Sequence, residues 1–224
     1  MPRHYLVTGA AGFIGMHTAE RLLQRGDTVV GLDNLNDYYD PALKLGRLDV
    51  LNKYPGFRFI KGDLVNRDLM TELFSKEQFD GVVHLAAQAG VRYSIDNPRA
   101  YLDANIVGTF NVMEVARTAG VQHLLMASTS SVYGANTEMP FTETERVATP
   151  LTFYAASKLA NEGVAIGFEV GEDKAVALGF LLRQLTHTLT DIDEFSGVYR
   201  WGVRVPVNFL EERAVCVHPH RMDI

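Results

Sequence analysis

Five short apolar runs, each followed by a stretch of helical character, set what this chain can fold into. The runs are YLVTG (5–9), TVVGLD (28–33), FRFIKGD (57–63), GVVHLAA (81–87) and HLLMAST (123–129). They are nearly continuous in apolar residues, as strands covered on both faces must be; a strand with one wet face alternates instead. Between them lie helix-like segments at 15–26, 41–53 and 66–77 and a long one at 97–120, several ending at glycine or opening at Asn or Pro. Strands spaced by helices need right-handed crossovers, which predicts an α/β fold with a doubly wound parallel sheet of Rossmann type. One more helix begins in TPLTFYAASKLANE (149–162), with Pro150 near its first turn. Beyond about Gly163 the pattern weakens, and 174–182 reads either as a sixth strand or as a short helix.

The first strand runs into VTGAAGFIG, with Gly9, Gly12 and Gly15 three apart at a strand-to-helix turn. Such a turn brings backbone N–H groups and a helix N-terminus to one point, which attracts an anion. Glycine lets a pyrophosphate approach the backbone, and a positive φ is expected at Gly12. The second strand ends in Asp33, 18 residues beyond Gly15, close to the spacing of an acid that binds adenosine ribose hydroxyls. A carboxylate there repels a 2′-phosphate, so NAD is favoured over NADP. Asp63 ends the third run, placed either to reach the adenine edge or to cap the next helix. Ala86 and Ala87, at the end of the fourth, are small enough for a cofactor to lie against the backbone. The expected division is an NAD-binding domain over 1–165 and a short atypical or truncated segment over 166–224.

Composition narrows the partners. The net charge of −6 in 224 residues, with no Lys/Arg cluster, argues against a nucleic-acid surface. No apolar stretch has membrane-spanning length, and MPRHYLVTGA lacks a signal-peptide layout. The single cysteine, Cys216, has no internal disulfide partner and reads as a plain buried thiol, so a cytoplasmic setting is expected. His218 and His220 stand two apart in VHPH without further ligands, so no metal site is assigned.

The chemistry is carried by Tyr154 and Lys158, four apart and so on one face of their helix. A nearby ammonium and a nicotinamide cation would stabilise phenolate and lower the Tyr154 pKa toward working pH. The fifth strand runs out into ASTSSVYG (127–134), whose hydroxyls would meet the same crevice.

Together, G-x-x-G-x-x-G, a Ser/Thr and Tyr-x-x-x-Lys resemble the extended short-chain dehydrogenase/reductase superfamily and its NAD-dependent epimerase/dehydratase family. Within it, DNLNDYYDPALKLGRL, AAQAGVRYSIDNP, STSSVYGAN and YAASKLANE are most similar to the nucleotide-sugar 4-epimerases that act on UDP-glucuronate. The resemblance covers roughly 1–165. It implies Tyr154 as acid/base, Lys158 as its partner and a holder of the nicotinamide ribose, and Thr129, 25 residues before Tyr154, as the catalytic hydroxyl. It assigns Gly9, Gly12, Phe13, Ile14 and Gly15 to the pyrophosphate and Asp33 and Asn34 to the adenosine ribose. Asp63 and Leu64 go to the adenine, Leu85, Ala86, Ala87 and Gln88 to the cofactor-lining strand end, and Asn105 to a buried place near the cofactor. Arg92 stands as a candidate for a substrate carboxylate or as a solvated loop arginine, and Ser128 and Ser130 as hydroxyls sharing the substrate with Thr129. The related 4,6-dehydratases carry an Asp-Glu pair after the catalytic Thr; Ser130 and Ser131 stand there in this chain, which favours epimerisation over dehydration. The implied activity is C4 epimerisation of a nucleotide-sugar, UDP-glucuronate or UDP-galacturonate, in a possible homodimer. The alternatives are an NAD-binding module without turnover, because the substrate lobe expected after the Tyr-x-x-x-Lys helix is not recognised, and a dehydrogenase of a small hydroxyl substrate.

Overall fold

The computed structural model describes residues 1–137, 141, 147–170 and 177–180, with backbone alone for 166–170 and 177–180. The strands are β1 (His4–Thr8), β2 (Thr28–Asp33), β3 (Phe57–Lys61), β4 (Gly81–His84), β5 (His123–Met126) and β6 (Ala177–Phe180). They form one parallel sheet in the order β3-β2-β1-β4-β5-β6. The expected five strands are all present, and the segment left open as strand or helix is the edge strand β6, with His123 opposite Ala177 and Met126 opposite Phe180. The expectations for Cys216, for the histidines of 217–220 and for most of 166–224 lie outside the described residues.

The helices are α1 (Phe13–Gln24), α2 (Pro41–Leu51), α3 (Arg67–Lys76), α4 (Tyr93–Asp96), α5 (Pro98–Tyr101), α6 (Thr109–Thr118) and α7 (Phe153–Val170). Local chemistry starts and stops them. Asp40 caps α2 by accepting from the Ala42 amide at 2.8 Å, ahead of Pro41, and Asn66 caps α3 by accepting from Leu69 at 3.1 Å. Gly120, with φ +69°, turns the chain out of α6.

Alternate residues of the strands feed two cores, one on each face. Leu6, Val30, Leu32, Val82, Leu124 and Met126 pack with Met70 and Leu73 of α3 and Val112 and Ala116 of α6. Tyr5, Val7, Val29, Val83 and Leu125 pack with Met16, Ala19 and Leu22 of α1 and with Leu48 and Leu51 of α2. Each fully buried Leu or Val contributes about 1.5–3 kcal/mol of apolar transfer. These two cores hold the C-terminal edge of the sheet rigid, and the strand order reverses at β1 and β4, the place where such sheets bind ligands.

One helical expectation needs correction. The segment 97–120 is not one α-helix: α5 and α6 are joined by a π-helical turn, Leu102–Gly108. The wider turn carries Asn105, fully buried, toward the end of β4. Pro150 stands near the start of α7, which begins at Phe153; the hydroxyl of Thr152 accepts from the Ala155 amide at 3.1 Å and starts the helix there. Among the described residues no helix is long and apolar enough to cross a membrane.

Candidate active site

The loop after β1 is shaped by glycine at two tight contacts. Gly9 has φ +70°, and its amide donates to the Leu32 carbonyl at 2.8 Å. A Cβ at Gly9 would stand 2.8 Å from the Ala86 amide nitrogen, and one at Gly15 would overlap the Gly9 carbonyl oxygen. The left-handed glycine is therefore Gly9; Gly12 has φ −74° and serves as the N-cap of α1, because the chain has already turned three residues earlier. No side chain caps α1 and no acid of its own stands in its first turn, so its first backbone amides face the loop, with the Asp33 carboxylate taking the amide of Ala11 just ahead of the N-cap. Phe13 is exposed and lies edge-on to His17, while Ile14 accepts from the Thr18 hydroxyl at 2.9 Å. Backbone amides at a helix N-terminus behind a glycine surface fit the pyrophosphate of a dinucleotide.

The ends of β2 and β3 are tied together. Asp33 is 8% exposed; one carboxylate oxygen accepts from the Ala11 amide at 3.2 Å and the other from the Leu35 amide at 2.8 Å. Leu35 is held by that bond at φ +56°, a conformation few side chains adopt without support. Asn34 donates to the Asp63 carboxylate at 2.9 Å, joining the two residues expected at the adenosine end. The open choice at Asp63 falls between its two readings: it accepts from the Val65 amide at 3.1 Å and shapes the turn, but the cap of α3 is Asn66. Leu64 lies in the core, with its carbonyl accepting from Asn111 at 2.8 Å. A residue that the sequence did not single out completes this corner: Lys44 of α2, 6% exposed, places its ammonium 3.6 Å from Asp33 and donates to Asn36 at 2.9 Å.

The end of β4 is fixed by buried polar groups. Thr8 accepts from the Leu85 and Ala86 amides, both at 3.2 Å, and meets His84 Nδ1 at 2.7 Å. His84 Nε2 meets the Thr109 hydroxyl at 3.0 Å, and burial holds its pKa down at about 3, so the ring stays neutral. Ala87 is exposed at the strand end. Asn105 accepts from the Gln88 amide at 2.8 Å and donates to the Gln88 carbonyl at 3.1 Å and to Ser157 at 3.0 Å, linking β4 to α7. Arg92, by contrast, is exposed and opens the short α4.

Thr129, Tyr154 and Lys158 converge beside this strand end. The Thr129 hydroxyl donates to the Ser131 hydroxyl at 3.3 Å, accepts from the Ser131 amide at 3.2 Å and lies beside Tyr154. The Tyr154 ring lies edge-on to Tyr101 with centroids 5.9 Å apart. Lys158 is buried and donates to the Ala127 carbonyl at 3.1 Å. Burial raises the Tyr154 pKa, the Thr129 side chain opposes that rise, and the Lys158 ammonium is directed at Ala127; the lowering expected from an ammonium and a nicotinamide cation together belongs to the cofactor-bound site. One expectation is corrected here. Ser128 is not turned to the same crevice as Thr129; it is buried and its hydroxyl donates to Glu162, a carboxylate not among the candidates read from the sequence. Ser130 is exposed and opens the 3₁₀ turn Ser130–Tyr133.

Residues 6–184 match the family described as GDP-mannose 4,6 dehydratase. The probable UDP-glucuronate 4-epimerase of Rhizobium meliloti (strain 1021) is 47% identical over 161 residues, which are 72% of this chain and 47% of that protein. UDP-glucuronate 4-epimerase 6 of Arabidopsis thaliana is 50% identical over 161 residues, 71% of this chain and 35% of that protein. The crystal structure of UDP-glucuronic acid 4-epimerase from Bacillus cereus in complex with UDP-glucuronic acid and NAD superposes with a TM-score of 0.72 at 32% identity, covering 80% of this chain and 55% of that one. The chain spans about half the length, or less, of the curated relatives it matches.

Proposed function

Since this chain belongs to the GDP-mannose 4,6-dehydratase family, we propose that it binds NAD at its glycine loop and epimerises a nucleotide-sugar at C4, with UDP-glucuronate and UDP-galacturonate as the pair interconverted. The observation that supports the reading is the placement of Thr129, at the end of β5, beside Tyr154, one helical turn from the buried Lys158, whose ammonium donates to the Ala127 carbonyl at 3.1 Å. A phenol paired with a hydroxyl is the equipment for moving one proton at an alcohol oxygen. Tyr154 takes the proton of the C4 hydroxyl and later returns it, and Thr129 holds the same oxygen. Lys158 orients the nicotinamide ribose. When bound, NAD supplies the acceptor for the C4 hydride.

The remaining roles follow the same reading. Gly9, Gly12, Phe13, Ile14 and Gly15 seat the pyrophosphate, Asp33 and Asn34 the adenosine ribose, and Asp63 and Leu64 the adenine. Leu85, Ala86, Ala87 and Gln88 line the cofactor, with Asn105 bracing Gln88. Arg92 and Ser130, both exposed, are assigned to a charged sugar on the resemblance. The family is described by a dehydratase, but Ser130 and Ser131 stand after Thr129, and neither is acidic enough at neutral pH for elimination of water. The relatives named for UDP-glucuronate support the choice of sugar.

A second copy of this chain is the proposed protein partner. Ile106 and Val107 of the π-helical turn, Phe110 and Met113 of α6 and Val164 of α7 line an apolar groove, with Val107 39% exposed. Light scattering at micromolar concentration tests it, a monomer being the contrary result. The catalytic reading is tested by incubating the pure chain with NAD and UDP-glucuronate and separating the sugars. UDP-galacturonate is expected. NAD binding without product would leave the binding-module alternative in its place.

A further inference from the structure

Glu162 lies four residues beyond Lys158 and eight beyond Tyr154, on the same stripe of α7. It is 4% exposed. A carboxylate taken out of water costs free energy unless charge and hydrogen bonds offset the loss. Here it accepts from the equally buried Ser128 hydroxyl. Lys158, 5% exposed, donates to Ala127 at 3.1 Å. Two consecutive residues that leave β5 are thus each held by one residue of α7, 127 by Lys158 and 128 by Glu162, and Thr129 follows them directly.

We infer that Glu162 is a positioning residue of this site: its carboxylate locks Ser128, and so fixes the neighbouring Thr129 beside Tyr154, while it sets a buried negative charge one helical turn from the buried Lys158 ammonium. The inference rests on the catalytic reading for its functional meaning, and on the geometry alone for the arrangement. Burial holds the Lys158 pKa down at about 8, and Glu162 acts against that fall. Among the described residues, His84 from β4 also acts on Lys158, and Tyr154 stands one turn before it on the same helix. Burial keeps His84 neutral down to about 3 and moves Tyr154 above its ordinary value, so neither titrates near neutrality.

The test is urea unfolding of the full chain at a series of pH values, on the parent, Glu162→Gln, Glu162→Asp and each of these combined with Lys158→Met. A lysine with a depressed folded pKa loses its proton in the folded state first. The folded state therefore gains stability as pH rises past that value, until the unfolded lysine also titrates. Subtracting each Lys158→Met series isolates this gain. It is expected to begin near pH 8 in the parent. In Glu162→Gln it should begin about one pH unit lower, because the counter-charge is gone. Glu162→Asp keeps a carboxylate and should begin close to the parent. An onset in Glu162→Gln equal to the parent's would overturn the inference. If the Gln variant does not fold, an Asp onset displaced downward by about one unit overturns it instead. Calorimetric titration of NAD into the parent separates the two readings. A parent that shows the expected onset but binds no NAD refutes the catalytic reading and leaves the Glu162 arrangement standing. A parent that binds NAD while Glu162→Gln keeps its onset refutes only this inference.

Discussion

Lys44 and Asp33 face each other at 3.6 Å, and both side chains are buried, so the acid that ends β2 is already half of an ion pair. A ribose 2′-phosphate arriving there meets a carboxylate and an ammonium together. The chain is expected to prefer NAD, because Asp33 accepts hydrogen bonds from hydroxyls and repels a phosphate. Asp33→Ala should weaken NAD by about 1–2 kcal/mol, the worth of a pair of charge-assisted hydrogen bonds. It should also leave Lys44 without its carboxylate, shifting preference toward NADP, and adding Lys44→Met should remove that shift. Calorimetric titration of both cofactors checks each variant; NADP bound by the parent as tightly as NAD would contradict the assignment.

The glycines of the first loop should fail in different ways. Gly12 has an ordinary φ, and a Cβ there would lie 3.0 Å from the Gly9 carbonyl oxygen. Gly12→Val is expected to keep the fold and lose NAD, because the added methyls stand where the pyrophosphate approaches. Gly15→Ala puts its Cβ into the Gly9 carbonyl and should lower the urea midpoint as well as the affinity. Thermal unfolding beside NAD titration distinguishes them, and an affinity for Gly12→Val within a few-fold of the parent would show that the loop does not seat the cofactor.

His84 makes stability depend on pH on the acid side. Its folded pKa is about 3, and its ordinary value is near 6.5. Above about 6.5 the ring is neutral in both states and contributes nothing to the pH dependence. Between the two values the unfolded chain binds a proton that the folded chain does not, so stability falls with falling pH. The slope approaches about 1.4 kcal/mol per pH unit from this residue. Urea midpoints from neutrality to about pH 5 should show it, and His84→Gln, which can still bridge Thr8 and Thr109, should flatten it. An unchanged slope in that variant would assign the acid sensitivity elsewhere.

Much of this fold is legible in the sequence, and the limits have physical causes. The bounds of β2 coincide with TVVGLD because the apolar run has polar neighbours on both sides. The interruption of 97–120 leaves no such mark: the π-helical turn is stabilised by Asn105, whose partners Gln88 and Ser157 lie 17 and 52 residues away. Lys44 reaches Asp33 only because the chain reverses at Leu35, which takes a left-handed conformation that leucine seldom signals. The direction of the Tyr154 pKa depends on burial, which spacing does not reveal. Glu162 did carry a signal, its place one turn beyond Lys158, but only the buried Ser128 opposite gives that spacing a meaning.

Activity should divide unequally between the two hydroxyl groups. Tyr154→Phe keeps the ring against Tyr101 and removes the proton carrier, so NAD affinity should persist while turnover falls by about 10²–10⁴. Thr129→Val removes a hydrogen bond and also the acceptor for the Ser131 amide, and should cost less. Turnover of the Phe variant at the parent rate would rule out Tyr154 as the acid/base.

The central claim is that the C4 hydrogen of a nucleotide-sugar leaves and returns as hydride while Tyr154 moves the hydroxyl proton. Epimerisation of UDP-glucuronate by the full chain with NAD in D₂O, followed by proton NMR, tests it most directly. UDP-galacturonate is expected to keep a proton at C4, because the hydride never exchanges with solvent. Deuterium at C4, or no product from folded protein with NAD bound, would contradict it.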